Sequence, residues 1–273
     1  MALTLGESHA STHKSLQYLN STRAEIEKVQ LRLSSGNKIV SPADDVGGLA
    51  VAMKLQHQLT TTSAIASNVE NAKSFADLQY TALSSAADIV SQMQSLHTDY
   101  TQALDAGEST TGYESSFNEL KDQLVAISKE KAGSEDLFGS ESKSVNTSST
   151  GSTVTIDAIK FGDFTGADIN PSELGSITDN DIGDQLGNFS DALSGYMTQA
   201  ASDQSTLGFA SDYLNNMTVS LEAAHGRIMD VDVAEETINL SKLNLQQEAA
   251  LAAIVQANLA MESVLELLIS RND

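Results

Sequence analysis

The chain has 273 residues, with 15 Lys and Arg against 37 Asp and Glu, a formal charge of −22 at pH 7. Such a balance argues against a nucleic-acid binder, which needs basic surface to displace phosphate counterions. The chain has no cysteine, which rules out disulfides, thiolate catalysis and Cys-based zinc sites. With two prolines and 5% aromatic residues, it can run long helices and suits narrow helix–helix seams. The opening MALTLGESHASTHKSLQ has no apolar run of signal-peptide length, and no window reads as a membrane span. The charge is uneven: residues 1–60 are near neutral, with six bases and five acids, whereas residues 61–227 hold seven bases and twenty-four acids.

A first helix is expected over 12–34, where Leu16, Leu19, Ile26, Val29 and Leu33 share a face. It should stop at Ser34-Ser35-Gly36-Asn37, with Gly36 left-handed. A second helix should start at Ser41-Pro42-Ala43-Asp44, with Ser41 as N-cap, Pro42 in the first turn, Asp44 reaching back as in a capping box, and Asp45 adding charge at the positive helix end. It is expected to run to about Leu104 along Thr62, Ile65, Val69, Ala72, Ala76, Gln79, Leu83, Ala86, Val90, Met93, His97, Tyr100 and Leu104, a seam that wants a coiled-coil partner. At 1.5 Å per residue such a helix is roughly 95 Å long, longer than a globular domain. A further helix is expected over 113–131.

Residues 133–187 change character, with ten Ser or Thr among the sixteen residues 140–155. Val154, Ile156, Ile159 and Phe161 suggest a short strand or hairpin, and the remainder reads as loop. Helix returns with Leu207, Ala210, Leu214, Met217, Leu221, Ala224 and Ile228, breaks at Asp230-Val231-Asp232, and resumes with Gln247, Leu251, Ile254, Asn258, Met261, Leu265 and Leu268. The fold class is therefore mainly α: a long antiparallel coiled-coil rod pairing the N- and C-terminal segments, with a small β-hairpin or loop insert.

No catalytic or cofactor motif stands out. His9 and His13 are spaced i, i+4 but lack a third ligand in phase, and the run Asp179 to Asp184 lacks EF-hand spacing. Metal ligands, catalytic residues and cofactors are accordingly expected to be absent. The middle stripes are expected to fill an intramolecular core. The terminal helices bury little by themselves, so Leu16, Leu19, Ile26, Val29 and Leu33 with Leu251, Ile254, Asn258, Met261, Leu265 and Leu268 are expected to meet other copies of the chain.

The stretch Leu33-Ser-Ser-Gly-Asn-Lys-Ile-Val-Ser-Pro-Ala-Asp-Asp-Val-Gly-Gly-Leu-Ala-Val-Ala (33–52) resembles the N-terminal signature of bacterial flagellin. Arg227-Ile-Met-Asp-Val-Asp-Val-Ala-Glu-Glu, Leu245-Gln-Gln, Gln256-Ala-Asn-Leu and Val264-Leu-Glu-Leu-Leu resemble its C-terminal one, and Ser205-Thr-Leu-Gly208 matches a family turn. The opening differs from the family's usual Ile-x-Thr-Asn, and Ile-Ser-Arg-Asn-Asp follows Leu268.

The resemblance implies a self-polymerising subunit of the extracellular flagellar filament, serving swimming motility and exported through the flagellar type III channel. It implies an inner tube from 1–40 with 235–273, an outer helical shell from 42–132 with 188–230, and a variable insert at 133–187. A filament cap, hook-associated proteins and an export chaperone are implied partners; nucleic acid and membrane insertion are not. The termini are expected to be disordered in a free monomer. In many relatives arginines near 91–96 meet an animal Toll-like receptor; Gln92 and Gln94 stand there in this chain, so that recognition is expected to be weak. A hook–filament junction protein of the same superfamily and a free-standing coiled-coil surface or interaction protein are the alternatives.

Overall fold

The computed structural model describes residues 2–161 and 174–269, with side chains over 12–161, 174–260 and 262–263. It is mainly α, in the order α1 (Ala2–Ser35), α2 (Val46–Ala106), α3 (Thr111–Ser128), β1 (Lys131–Ala132), β2 (Glu135–Asp136), β3 (Lys143–Asn146), β4 (Thr153–Ile156), α4 (Ile182–Met229) and α5 (Val233–Ile269). Contacts divide the chain into two compact units, one of residues 1–57 and 221–273, the other of 58–220.

Within the 58–220 unit, α2 and α4 run antiparallel. Gln94 Nε2 donates to the Leu186 carbonyl at 3.2 Å, Gln204 Nε2 donates to Asp77, and Ser211 Oγ donates to Glu70 at 2.5 Å. As the α2 partner falls from 94 to 70 the α4 partner rises from 186 to 211, so one register holds throughout. The expected α2 seam is buried from Thr62 to Tyr100, with only His97 half-exposed. At its end Leu104 turns outward and Ala103 is buried instead. The helix closes there in a Schellman turn: Glu108 N–H donates to Ala103 O at 2.8 Å, Gly107 N–H donates to Leu104 O at 3.1 Å, and Gly107 has φ 72°.

Phe117 and Leu124 of α3 pack with Leu83, Val90 and Met93 of α2 and Ile182, Leu186 and Leu193 of α4. Phe138 and Phe161 meet edge to face at 5.1 Å and join this core. The β3–β4 hairpin pairs Val145 with Val154 and Lys143 with Ile156. Its Val145 and Ile156 fill a second cluster with Ile65, Val69, Leu207 and Leu214. Lys143, on the same face, lays its ammonium 5.0 Å from the Phe75 ring centroid.

Four boundaries differ from expectation. Helix α3 ends at Ser128, short of 131, where β1 begins. Helix α1 extends back to Ala2, beyond the stripe that defines its apolar face. Helix α4 begins at Ile182, inside the stretch read as loop. Asp179-Asn180-Asp181 leads into it: Asp179 accepts the Ser176 N–H at 2.7 Å and Asp181 accepts Gln185 Nε2 at 2.9 Å. Helix α2 begins at Val46, four residues after Pro42. Asp45 Oδ1, and not Ser41, caps it by accepting the Gly48 N–H at 2.8 Å. A Cβ on Gly48 would collide with that carboxylate. Replacing Asp45 with Ala should cost about 1 kcal/mol, read from the midpoint of denaturant unfolding.

Candidate assembly surface

Within the unit of residues 1–57 and 221–273, α1 and α5 form an antiparallel pair. Ile26 and Val29 are buried against Leu243, with Leu33 and Leu240 alongside, and Arg32 Nη1 reaches Glu236 Oε1 at 3.4 Å. Beside this pair the chain crosses itself: Lys38 N–H donates to Met229 O at 2.5 Å and Val231 N–H donates to Gly36 O at 3.0 Å. Gly36 has φ 72°, as the end of α1 requires. The Asp230–Asp232 break is a helix start, because Asp232 Oδ1 accepts the N–H groups of Ala234 and Glu235 at 2.9 and 3.1 Å.

Apart from Arg32 and Asn239, the shielded residues with described side chains follow a strict repeat on both helices. On α1 they are Thr12, Ser15, Leu19, Thr22, Ile26, Val29 and Leu33; on α5 they are Glu236, Leu240, Leu243, Gln247, Ala250, Ile254 and Ala257. Steps of three and four alternate along each, the signature of a coiled-coil seam. Large apolar residues cluster at one end of it. Towards the chain ends the same seam is mostly small or polar, with Ser15, Thr12, Gln247, Ala250 and Ala257, and Ile254 is its one large apolar member on α5 there. A seam this thin buries little and holds weakly.

Other large apolar residues of α5 lie outside the seam. Ile238 is 71% exposed, Leu245 67%, Val255 57% and Leu259 55%. Tyr18 and Leu31 of α1 are exposed as well. A helix that is apolar on both flanks belongs in a buried setting, and isolated monomers rarely leave such a stripe uncovered.

The residues expected at a subunit interface therefore divide. Leu19, Ile26 and Val29 are buried and Leu33 and Ile254 half-buried within one chain's own pair, so they are already occupied. Leu16, Leu251 and Asn258 are exposed. The side chains of Met261, Leu265 and Leu268 lie outside the described residues. Spacing alone puts Leu16 on a face with Leu19 and Leu251 on a stripe with Gln247 and Ile254. The observed register seats Ser15 and Ala250 in the seam, which turns Leu16 and Leu251 outward. Ile238, Leu245, Val255 and Leu259 were missed; their signal was apolar residues on the flank opposite the best stripe.

The expected capping residues build the turn before α2. Ser41 Oγ accepts the Ala43 N–H at 3.3 Å, and Asp44 Oδ2 accepts the N–H groups of Val40 and Ser41 at 3.1 and 3.0 Å. Pro42 lies in this turn and not in the helix. Lys28 of α1 meets Asp44 Oδ1 at 2.5 Å. The Lys28 hydrogen bond first, then the Ser41 N–H, hold the Asp44 carboxyl at about 2, below its ordinary 3.8. A lowered carboxyl stabilises the fold above 3.8, and that contribution is lost as pH falls towards about 2. Asp44→Asn should flatten this acid limb of the stability profile, measured by denaturant unfolding at stepped pH.

Among the described residues no group of three or more His, Asp or Glu is placed to hold a metal ion, and no helix is long and apolar enough to cross a membrane. The α1–α5 pair thus leaves an apolar flank uncovered. The comparisons agree with that kind of molecule. Residues 8–137 match the model of the bacterial flagellin N-terminal helical region, and residues 190–268 match that of the C-terminal helical region. The chain belongs to the bacterial flagellin family.

Among its relatives is the flagellar filament 33 kDa core protein of Treponema phagedenis, 25% identical over 92% of this chain and 94% of that one. Flagellin FljK of Caulobacter vibrioides is also 25% identical, over 98% and 99% of the two chains. A solved flagellar hook-associated protein from Vibrio parahaemolyticus aligns with TM-score 0.58 and 14% identity, over 68% of this chain and all of that one. This last likeness shows the fold alone.

Proposed function

We propose that this chain is the structural subunit of an extracellular bacterial flagellar filament, polymerising with copies of itself in the service of swimming. Membership of the flagellin family supports the filament role. The uncovered flank of α5, with Ile238, Leu245, Leu251, Val255 and Leu259, is the observation that carries the mode of assembly. In this reading the flank is covered by the terminal helices of neighbouring copies, with Leu16, Tyr18 and Leu31 of α1 contributing. Residues 1–40 with 235–273 line the inner tube, 42–132 with 188–230 surround it, and 133–187 faces outward. A distal cap, hook-associated proteins and an export chaperone complete the proposed partners. The role is structural, with no catalytic step.

Seeding purified chain with short filament fragments tests this. Sedimentable, regular filaments under the electron microscope are the expected result. A chain that stays monomeric with seeds at high concentration would overturn it.

A further inference from the structure

The β3–β4 hairpin grips the α2–α4 pair through Val145 and Ile156 and through a part-buried polar contact. The main-chain N–H of Asp157, the first residue past β4, donates to Asp203 Oδ2 of α4 at 3.2 Å. Asp203 is only 8% exposed. The hairpin presents the Asp157 carboxylate. On α2, Asp77 is engaged by Gln204, the residue after Asp203. The hairpin's Lys143 is bound to Glu135 and lies over Phe75. Burial, the Asp157 N–H and the Asp157 charge are what act on the Asp203 carboxyl.

A carboxylate loses hydration when buried, and a second carboxylate beside it adds repulsion. Burial is the larger cause here; the Asp157 N–H opposes it and the Asp157 charge adds to it, leaving the Asp203 carboxyl above its ordinary 3.8.

We propose that Asp203 is a proton-operated latch for the hairpin. Protonated, its carbonyl oxygen still accepts the Asp157 N–H, with neither the cost of a buried charge nor repulsion from Asp157. Ionised, it carries both, and the exit of β4 loosens from α4. The sign follows from linkage. The penalty is complete above the raised value and is relieved as pH falls through it towards 3.8. The hairpin therefore grips harder in mild acid, the reverse of the Asp44 turn.

Hydrogen exchange of the amides over 143–157, corrected for intrinsic rates, tests this in the full unassembled chain between neutral pH and pH 4. Protection of the wild-type hairpin should rise on acidification, about tenfold for each unit by which the Asp203 carboxyl stands above its ordinary value. In Asp203→Asn, protection should be high and independent of pH. Asp157 is exposed, so Asp157→Asn leaves the core intact; it should move the rise to lower pH. Identical pH profiles in the wild type and Asp203→Asn would overturn the proposal. If Asp203→Asn does not fold, an unmoved profile in Asp157→Asn would do the same.

Discussion

A chain carrying Val255→Asp together with Leu259→Asp is expected to fold and to remain monomeric where the wild type elongates seeds. In the lone chain both positions are more than half exposed, at 57% and 55%, so the carboxylates stay hydrated and stability changes little. In a polymer that covers this flank, each carboxylate would lose its water with no cation beside it. Such burial costs several kcal/mol per group. About 3 kcal/mol is already more than a hundredfold in affinity, and every subunit added repeats the loss. Sedimentation after seeding reads the effect. Circular dichroism and the unfolding midpoint of the 58–220 unit should match the wild type. Filaments from the double variant at wild-type concentrations would show that the flank faces solvent in the assembly.

Phe117→Ala should have the largest effect on folding. Phe117 is fully buried among residues of α2, α3 and α4. Truncation removes apolar area and leaves a cavity that long, packed helices close poorly, at a cost of about 3–5 kcal/mol. Denaturant unfolding should show the loss in the 58–220 unit, with the slope unchanged. The comparison is with Leu19→Ala in the thin α1–α5 seam. There most seam residues towards the chain ends are small or polar, and the measured loss should be the smaller of the two.

How much of this was legible beforehand follows from the same contrast. The α2 seam from Thr62 to Tyr100 could be read because one uninterrupted repeat meets one partner face, and burial tracks the repeat. In α1 and α5 two apolar flanks compete. Spacing admits Leu16 and Leu251 to the stripe, yet the register is fixed by Ile26, Val29, Leu240 and Leu243 and by the Arg32–Glu236 pair. That choice depends on contacts more than two hundred residues apart in sequence and leaves no local trace. The entry to α2 holds two overlapping cap signals. Lys28, from another helix, takes Asp44 into the turn and leaves Asp45 to start the helix. The Asp203–Asp157 contact joins α4 to the hairpin, and neither residue stands out in its own segment.

The most direct measurement is amide exchange over residues 238–259, recorded in dilute unassembled chain and again in filaments grown from it. Fast exchange in the dilute chain with at least a hundredfold slowing in the filament is the expected result, since neighbours alone can cover this flank. Strong and equal protection in both states would contradict it, because the terminal pair would then be complete without other copies.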